Sequence, residues 1–355
     1  MKIAILGLVE YENLGDQFIG KTVDYLVTQY GKVETKLLDF SLDVNVGVPF
    51  ALKVAHKIAR ILNWNQASDY FLTKKYKHFY SRTLFKHISM CDAIIFSGGS
   101  FKYGTQDVWM QYSVIIDYAD KHNIPVMFDA MNVQKFDGSN YKCVYLKEHL
   151  NRPCVKYFTS WVGKAGVERL KKDYVENSAL IILPAADPAF WIPETYGVIR
   201  NKSSNLIGIN VIAPNRFILY GGSLTPQEVK KAYIEMLQKL TEKGFSWQLF
   251  TNGMVEDNDF ANELAECCGL GRDSIVIPRS DVELATMEAN YMAVFGARLH
   301  SMICAYSLGV PVAGFVWDEK ITHFAEMAKL EDLFLKENEI TGDAMFESLM
   351  KALQR

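Results

Sequence analysis

No stretch of this 355-residue chain approaches the ~20 consecutive apolar residues that a membrane-spanning helix needs. The chain opens directly on strand-like sequence, Lys2-Ile3-Ala4-Ile5-Leu6-Gly7-Leu8, with no charged-then-apolar leader and no small-residue cleavage site, so a cytoplasmic location is expected. Its six cysteines include no C-x-x-C. Cys267 and Cys268 are adjacent, and Cys91, Cys143, Cys154 and Cys304 are scattered, so metal-ligand spacing is absent and the thiols read as buried and reduced. Nor do the histidines cluster: His56, His78, His87, His122, His149 and His323 suggest no ligand set, and no metal or other cofactor is expected. Gly7 and Gly15 are too sparse for a G-x-G-x-x-G turn, which argues against a dinucleotide site. The formal charge of −3 says nothing about nucleic acid by itself, but no recognised nucleic-acid-binding motif is present, so nucleic acid is not expected as a partner.

What remains is a composition that is 49% apolar and 22% charged, the balance of a globular protein, with length enough for two domains. Apolar strand runs alternate with helical patterns from end to end, which predicts an α/β fold with parallel sheets covered on both faces. Ile3–Leu8, Lys36–Phe40, Ala93–Phe96, Pro125–Phe128, Val155–Thr159 and Leu180–Leu183 read as strands. Asp16–Tyr30 reads as a helix, with Phe18, Ile19, Val23, Leu26, Val27 and Tyr30 at helical spacing. Pro188 to Asn205, rich in proline, glycine and small polar residues, is the expected linker. Beyond it Leu206–Ile212, Trp247–Phe250, Ser274–Ile277, Met292–Phe295 and Val312–Phe315 read as strands, and Thr225-Pro226-Gln227-Glu228 as a capping box. The division expected is 1–195, 196–340 and a final helix, 341–355, packing back on the N-terminal domain.

Charge is uneven. Residues 51–90 hold Lys53, Lys57, Arg60, Lys74, Lys75, Lys77, Arg82 and Lys86 against Asp69 alone, a surplus of seven that leaves the rest of the chain at −10. Trp64, Tyr70, Phe71, Tyr76, Phe79, Tyr80 and Phe85 are interleaved. Two readings stand: solvated amphipathic helices on a core, or a surface for anionic lipid or a lipid-pyrophosphate-linked glycan.

Three strand-to-helix turns could carry chemistry. Met292–Phe295 ends at Gly296, and Ala297-Arg298-Leu299-His300 opens a helix. A cation and an imidazole at a helix mouth suit a small phosphorylated anion, because that end of a helix presents unpaired N–H groups and partial positive charge. Arg298 and His300 converge only if Arg298 precedes the first full turn. Arg216 and Lys320 are further cations at strand ends. In Asn13-Leu14-Gly15-Asp16, Gly15 permits a tight turn, and Asp16 is either a helix cap or a carboxylate that handles an acceptor hydroxyl. In Ser97-Gly98-Gly99-Ser100, the glycines are either a tight turn or a close approach to a ligand.

These segments together resemble the polysaccharide pyruvyl transferases. Gly296-Ala297-Arg298-Leu299-His300, running on through Gly309-Val310-Pro311 to Lys320, matches that family's C-terminal signature. Asn13–Ile19 looks like its N-x-G-D-x-x-I, Phe96–Ser100 its glycine-rich loop with Ser100 in place of a third glycine, and Ala186–Phe190 its D-P-x-F. One departure is plain: where the family has an R-D-x-x-S, the stretch 157–164 offers neither the arginine nor the aspartate. The resemblance implies two Rossmann-like domains facing a cleft in the GT-B manner, with the donor on the C-terminal side and the acceptor on the N-terminal side. It implies transfer of pyruvate from phosphoenolpyruvate to a sugar of a cell-surface polysaccharide, or its lipid-linked precursor, as a cyclic ketal. His300 and Asp16 would be catalytic. Arg298, Arg216, Lys320 and Ser301 would hold the donor, and Asn13, Gly15, Gly98, Gly99 and Ser100 the acceptor. The rivals are a nucleotide-sugar glycosyltransferase of the same architecture and a non-catalytic carbohydrate-binding relative.

Overall fold

The apolar runs become two parallel sheets in the computed structural model, which describes every residue but 11, 42–47, 105–107, 162 and 220, and of 163 and 272 only the backbone. The chain divides into two units, Met1–Glu10 with Ile19–Pro188, and Tyr11–Phe18 with Ala189–Arg355.

The first unit is built on β1 (Lys2–Gly7), β2 (Glu34–Asp39), β3 (Ala93–Ser97), β4 (Val126–Asp129), β5 (Val155–Ser160) and β6 (Ile181–Pro184), in the order β2-β1-β3-β4-β5-β6. Ala4, Ile5 and Leu6 are wholly buried, as expected of a central parallel strand covered on both faces. On one face lies a cluster that joins Phe96, Phe128, Phe158, Tyr112 and Tyr174. The other carries Ile3, Ile5, Ile19 and Val23, the last two from α1 (Leu14–Gly31).

The basic segment forms α2 (Phe50–Ile61) and α3 (Asn65–Arg82), which behave differently. Leu72, Tyr76, Phe79 and Tyr80 of α3 are core residues, and the Tyr80 hydroxyl donates to the Phe40 carbonyl. On α2 only Ala59 is buried. Helix α4 (Val108–Lys121) is buried along most of its length.

The second unit contains β7 (Leu206–Asn210), β8 (Ser246–Phe250), β9 (Ile275–Val276), β10 (Ala293–Gly296), β11 (Val312–Phe315) and β12 (Phe334–Leu335). Their order is β9-β8-β7-β10-β11-β12, the doubly wound arrangement in which strand order reverses between β7 and β10. Helix α5 (Pro226–Glu242) starts on the expected box: Glu228 N–H donates to Thr225 Oγ1 while Thr225 N–H donates to the Glu228 carboxylate. Helices α6 (Asp281–Ala289), α7 (Leu299–Ser307), α8 (Glu319–Ala328) and α9 (Gly342–Leu353) follow.

Three expectations change here. The C-terminal helix is part of the second unit and not a separate piece: Met345, Phe346 and Leu349 of α9 lie in that unit's core, where an amphipathic helix buries its apolar face beside α5. The supposed linker is structured from its first residues, as a 3-10 turn (Pro188–Trp191) and a short helix (Ile192–Tyr196). Ala189 and Ile192 join the second core, so the units change over at Pro188 rather than 195. Of the cysteines, Cys91, Cys143, Cys154 and Cys304 are buried, but Cys267 is exposed at the end of its helix.

Candidate functional site

Ligands of open parallel sheets sit beyond the carboxyl ends of the strands where strand order reverses. In the second unit that point lies between Asn210, which ends β7, and Gly296, which ends β10. Asn210 is wholly buried and ties the two turns together. Its Oδ1 accepts from Arg298 N–H at 2.8 Å and Ala297 N–H at 3.3 Å, and its Nδ2 donates to Asn252 Oδ1 at 2.9 Å.

Arg298 is the N-cap residue of α7, with extended backbone and no side-chain cap on the helix. The first turn of α7 therefore keeps donors that no side chain satisfies, a setting receptive to an anion. The guanidinium is already committed on one edge: Nε and Nη2 donate to the two oxygens of Asp257, each at 2.7 Å. Asp257 is wholly buried and also accepts from Ala213 N–H at 2.9 Å. The Arg298 guanidinium lies 5.9 Å from the centroid of the Trp317 ring, whose indole N–H donates to the Ala297 carbonyl. Nη1 makes no hydrogen bond to any described residue.

Asn13, Gly15 and Asp16 belong to this same unit rather than to the opposite one. Leu14 N–H donates to the Asn252 carbonyl at 2.9 Å, which pins the loop to the end of β8. Asn13 then shapes the turn: its Oδ1 accepts from Gly15 N–H, and its Nδ2 donates to Asp16 Oδ2 at 3.1 Å. Asp16 Oδ1 stands 3.9 Å from His300 Nδ1, too far for a direct hydrogen bond and close enough for one water or substrate oxygen to bridge. Gly15 lies flat against the imidazole. A Cβ there would meet His300 Cβ at 2.6 Å and Nδ1 at 2.8 Å, so only glycine fits without displacing the ring.

Arg216 lies next to this group, ion-paired at 2.6 Å with Glu256, the neighbour of Asp257. Lys320 is in the first turn of α8, where its N–H donates to the capping Asp318. A cavity of about 500 Å³ opens beside Trp317, lined also by Phe217, Asp318, Glu319, Lys336 and Glu337. Ser301 does not join the others. It is wholly buried beside Glu288 of α6, whose carboxyl is pushed far up by burial, with Ser301 and Cys304 nearby opposing that shift. One residue along a helix turns a side chain through about 100°, which is why Ser301 is sealed in while His300 is not.

Gly98, Gly99 and Ser100 are built into the first unit. Gly98 has φ +60 and Gly99 φ +92, and a Cβ on Gly98 would meet Ile19 Cγ2 at 2.2 Å. Ser100–Phe101 pairs with Asn132–Val133 as a two-stranded ribbon. Beside the loop, Asp129 accepts from the Thr159 hydroxyl at 2.9 Å. Burial raises the Asp129 carboxyl above its ordinary range, Thr159 opposes the shift, and nearby Asp187 adds to it. In the stretch where the family's arginine and aspartate are missing, Thr159 and Ser160 end β5, and Val162 lies outside the described residues.

Sequence reasoning passed over Asn210, Asn252, Asp257 and Trp317. A signal existed for the first, a polar residue closing an otherwise apolar strand run, Leu-Ile-Gly-Ile-Asn. No cluster of three or more His, Cys, Asp or Glu suited to a metal occurs among the described residues.

A family profile described as polysaccharide pyruvyl transferase matches residues 13–319. No curated protein sequence matches the chain significantly. Solved structures share the fold at low identity. UDP-GlcNAc 2-epimerase from Methanocaldococcus jannaschii has a TM-score of 0.55 at 11% identity, over 100% of this chain and 92% of that one. MnaA of S. aureus with UDP has a TM-score of 0.55 at 10% identity, over 100% and 88%. UDP-N-acetylglucosamine 2-epimerase from Rickettsia bellii has 0.53 at 9%, again over 100% and 88%. At such identity the likeness concerns the fold alone: two Rossmann-like α/β units of the GT-B kind.

Proposed function

Because the chain belongs to the polysaccharide pyruvyl transferase family, we propose that it moves the pyruvyl group of phosphoenolpyruvate onto a sugar, closing a cyclic ketal across two hydroxyls. The observation that carries this reading is the meeting of Arg298, His300 and Asp16 at the point where the strand order reverses. Phosphoenolpyruvate is anionic at both ends, and Nη1 of Arg298 with the uncapped mouth of α7 offers one end a cation and unpaired donors. Arg216, whose charge is shared with Glu256, and Lys320 are the further candidate donor contacts.

The chemistry balances with the chain's own groups. His300 delivers a proton to C3, which leaves C2 electrophilic. One sugar hydroxyl attacks C2, and Asp16 accepts or orients its proton. The second hydroxyl then displaces phosphate, which departs with the remaining proton. Asp257 touches no reacting atom in this scheme; it positions Arg298. The acceptor is a cell-surface polysaccharide or its lipid-linked precursor, handled on the cytoplasmic side where phosphoenolpyruvate is made, with Asn13 and Gly15 as its candidate contacts in the second unit.

Phosphate release from phosphoenolpyruvate against galactosyl, mannosyl and glucosyl acceptors tests the reading. Acceptor-dependent release that disappears in His300→Ala supports it, and no release with any acceptor counts against it. The likeness to UDP-GlcNAc 2-epimerases favours a second reading, an enzyme acting on a nucleotide sugar. Saturable binding of a UDP-sugar without phosphoenolpyruvate turnover would select that one. The missing arginine and aspartate near 159–160 keep a third in play, a non-catalytic carbohydrate-binding relative, for which glycan binding without turnover is the sign.

A further inference from the structure

Scattered exposed apolar side chains need no explanation, but a concentration does. Of the 22 large apolar side chains that stand exposed among the described residues, six fall within fifteen positions: Phe50, Val54, Ile58, Ile61, Leu62 and Trp64. All lie on or just after α2. Phe50 is 80% exposed and Ile61 68%, values typical of polar surface residues.

Their arrangement is regular. At about 100° per residue, Phe50, Val54, Ile58, Ile61 and Leu62 occupy an arc of roughly 120° on the helix wheel. Ala55, Ala59 and Leu52 follow beyond the other edge of the arc, where Ala59 is buried and Leu52 packs on the first unit's core. Lys53, Lys57 and Arg60 line one edge of the exposed arc, and α2 contains no acid. None of the three cations pairs with a carboxylate among the described residues, whereas Lys77 of α3 is held by Asp117. Trp64, just after α2, is 60% exposed and adds an amphipathic ring. The aliphatic part of the expected 51–90 surface thus narrows to α2, because α3 turns its apolar side chains to the core.

We propose that α2 is a membrane-docking helix, which lies in the interface of an anionic bilayer with Phe50, Val54, Ile58 and Ile61 among the acyl chains and Lys53, Lys57 and Arg60 on the headgroups. Charge complementarity selects this occupant. A long basic stem buries its methylenes while its head reaches phosphate, so the cations on the edge assist insertion. A second copy docked on the same face by two-fold symmetry would bring its three cations toward these three with no acid on either helix. Protein interfaces in general are depleted of lysine at their cores. His56 of the same helix is held below its ordinary value by burial first, then by Lys75 of α3 and Arg60. The inference does not rest on the pyruvyl-transfer reading, since it concerns a surface and not a reaction.

The test is co-flotation of the full-length protein with vesicles of equal parts phosphatidylglycerol and phosphatidylcholine, or of phosphatidylcholine alone, with no substrate present. The mixed vesicles should carry the protein, and binding should fall at least about tenfold on plain phosphatidylcholine and at high salt. Phe50→Ser with Ile58→Ser should lose binding by about tenfold or more with melting unchanged, because both side chains are already exposed. Lys53→Gln with Lys57→Gln should abolish the preference for anionic lipid. Protein that stays unbound at low salt overturns the proposal, as does wild-type binding by the serine variant. A serine variant that converts a dimer to a monomer in sedimentation, without any vesicle binding by the parent, assigns the face to self-association instead.

Discussion

Removing the Arg298 side chain should destabilise the second unit as well as weaken donor binding, because the guanidinium serves two masters. Asp257 is wholly buried, and its three hydrogen bonds come from Arg298 Nε, Arg298 Nη2 and Ala213 N–H. Arg298→Ala leaves that carboxylate with the Ala213 N–H alone. Breaking a buried ion pair from one side costs about 3–5 kcal/mol, since the surviving charge stays desolvated. For a unit of this size each kcal/mol moves the melting temperature by about 2–4 °C, so a fall of roughly 6–20 °C is expected. Asp257→Asn is gentler: it keeps an oxygen for Ala213 N–H but sets an amide N–H against a guanidinium N–H, at a cost of about 1–3 kcal/mol. The double variant Arg298→Ala, Asp257→Asn removes both charges and should be more stable than the sum of the single losses, the signature of a coupled pair. Thermal melts of the four proteins, with the Michaelis constant for phosphoenolpyruvate, make the assay. Asp257→Asn should retain a cation at the site and shift the Michaelis constant less than Arg298→Ala. Melting of Arg298→Ala within about 1 kcal/mol of the parent would mean a solvated pair of surface strength, and the reasoning would fail.

Gly15→Ala must push the imidazole, because its Cβ would stand 2.6 Å from His300 Cβ; turnover should fall at least tenfold for about 1–3 kcal/mol of stability, and kinetics that match the parent would show the ring is free to yield. Asp16→Asn should cut turnover and leave the Michaelis constant for phosphoenolpyruvate nearly unchanged, whereas equal turnover would reduce Asp16 to a partner of Asn13 in the turn. Acid stability should depend on Asp117: burial would raise its carboxyl, but hydrogen bonds from His149 and Lys77 win and lower it to about 2 from the ordinary 3.8. Its folded value lies below its unfolded one, so the stabilisation is present above 3.8 and is lost as pH falls toward 2. Melting followed across that window should show a slope that Asp117→Asn lacks, and identical slopes would contradict the assignment.

Local chemistry was written plainly enough along the chain to place most elements. Short apolar runs such as Ala93–Phe96 and Met292–Phe295 read as buried strands between helical patterns, and the strands Ala93–Ser97 and Ala293–Gly296 lie there. The Thr225–Glu228 box set the start of α5, and Gly296 before Arg298 put the cation at a helix mouth. Membership of the family was legible from short motifs for the same reason, because a strand-to-helix turn is specified by neighbours in sequence. Partners across space were not. Asn210 meets Arg298 and Asp257 meets Ala213 over separations of 88 and 44 residues, which no periodicity encodes. The loop at Asn13–Asp16 was read with the strand that precedes it, but the Asn252 carbonyl holds Leu14 N–H and draws it into the second unit. Helix α9 likewise found its place by burying Met345 and Leu349 where a core was open to them. Amphipathicity of α2 was visible in its residues, yet which of its faces would be covered was decided only when α3 turned its aromatic side to the core and left Phe50, Val54 and Ile58 to the solvent. Sequence sets what each segment can bury; tertiary packing settles what it does bury, because burial is a contact between segments and belongs to neither alone.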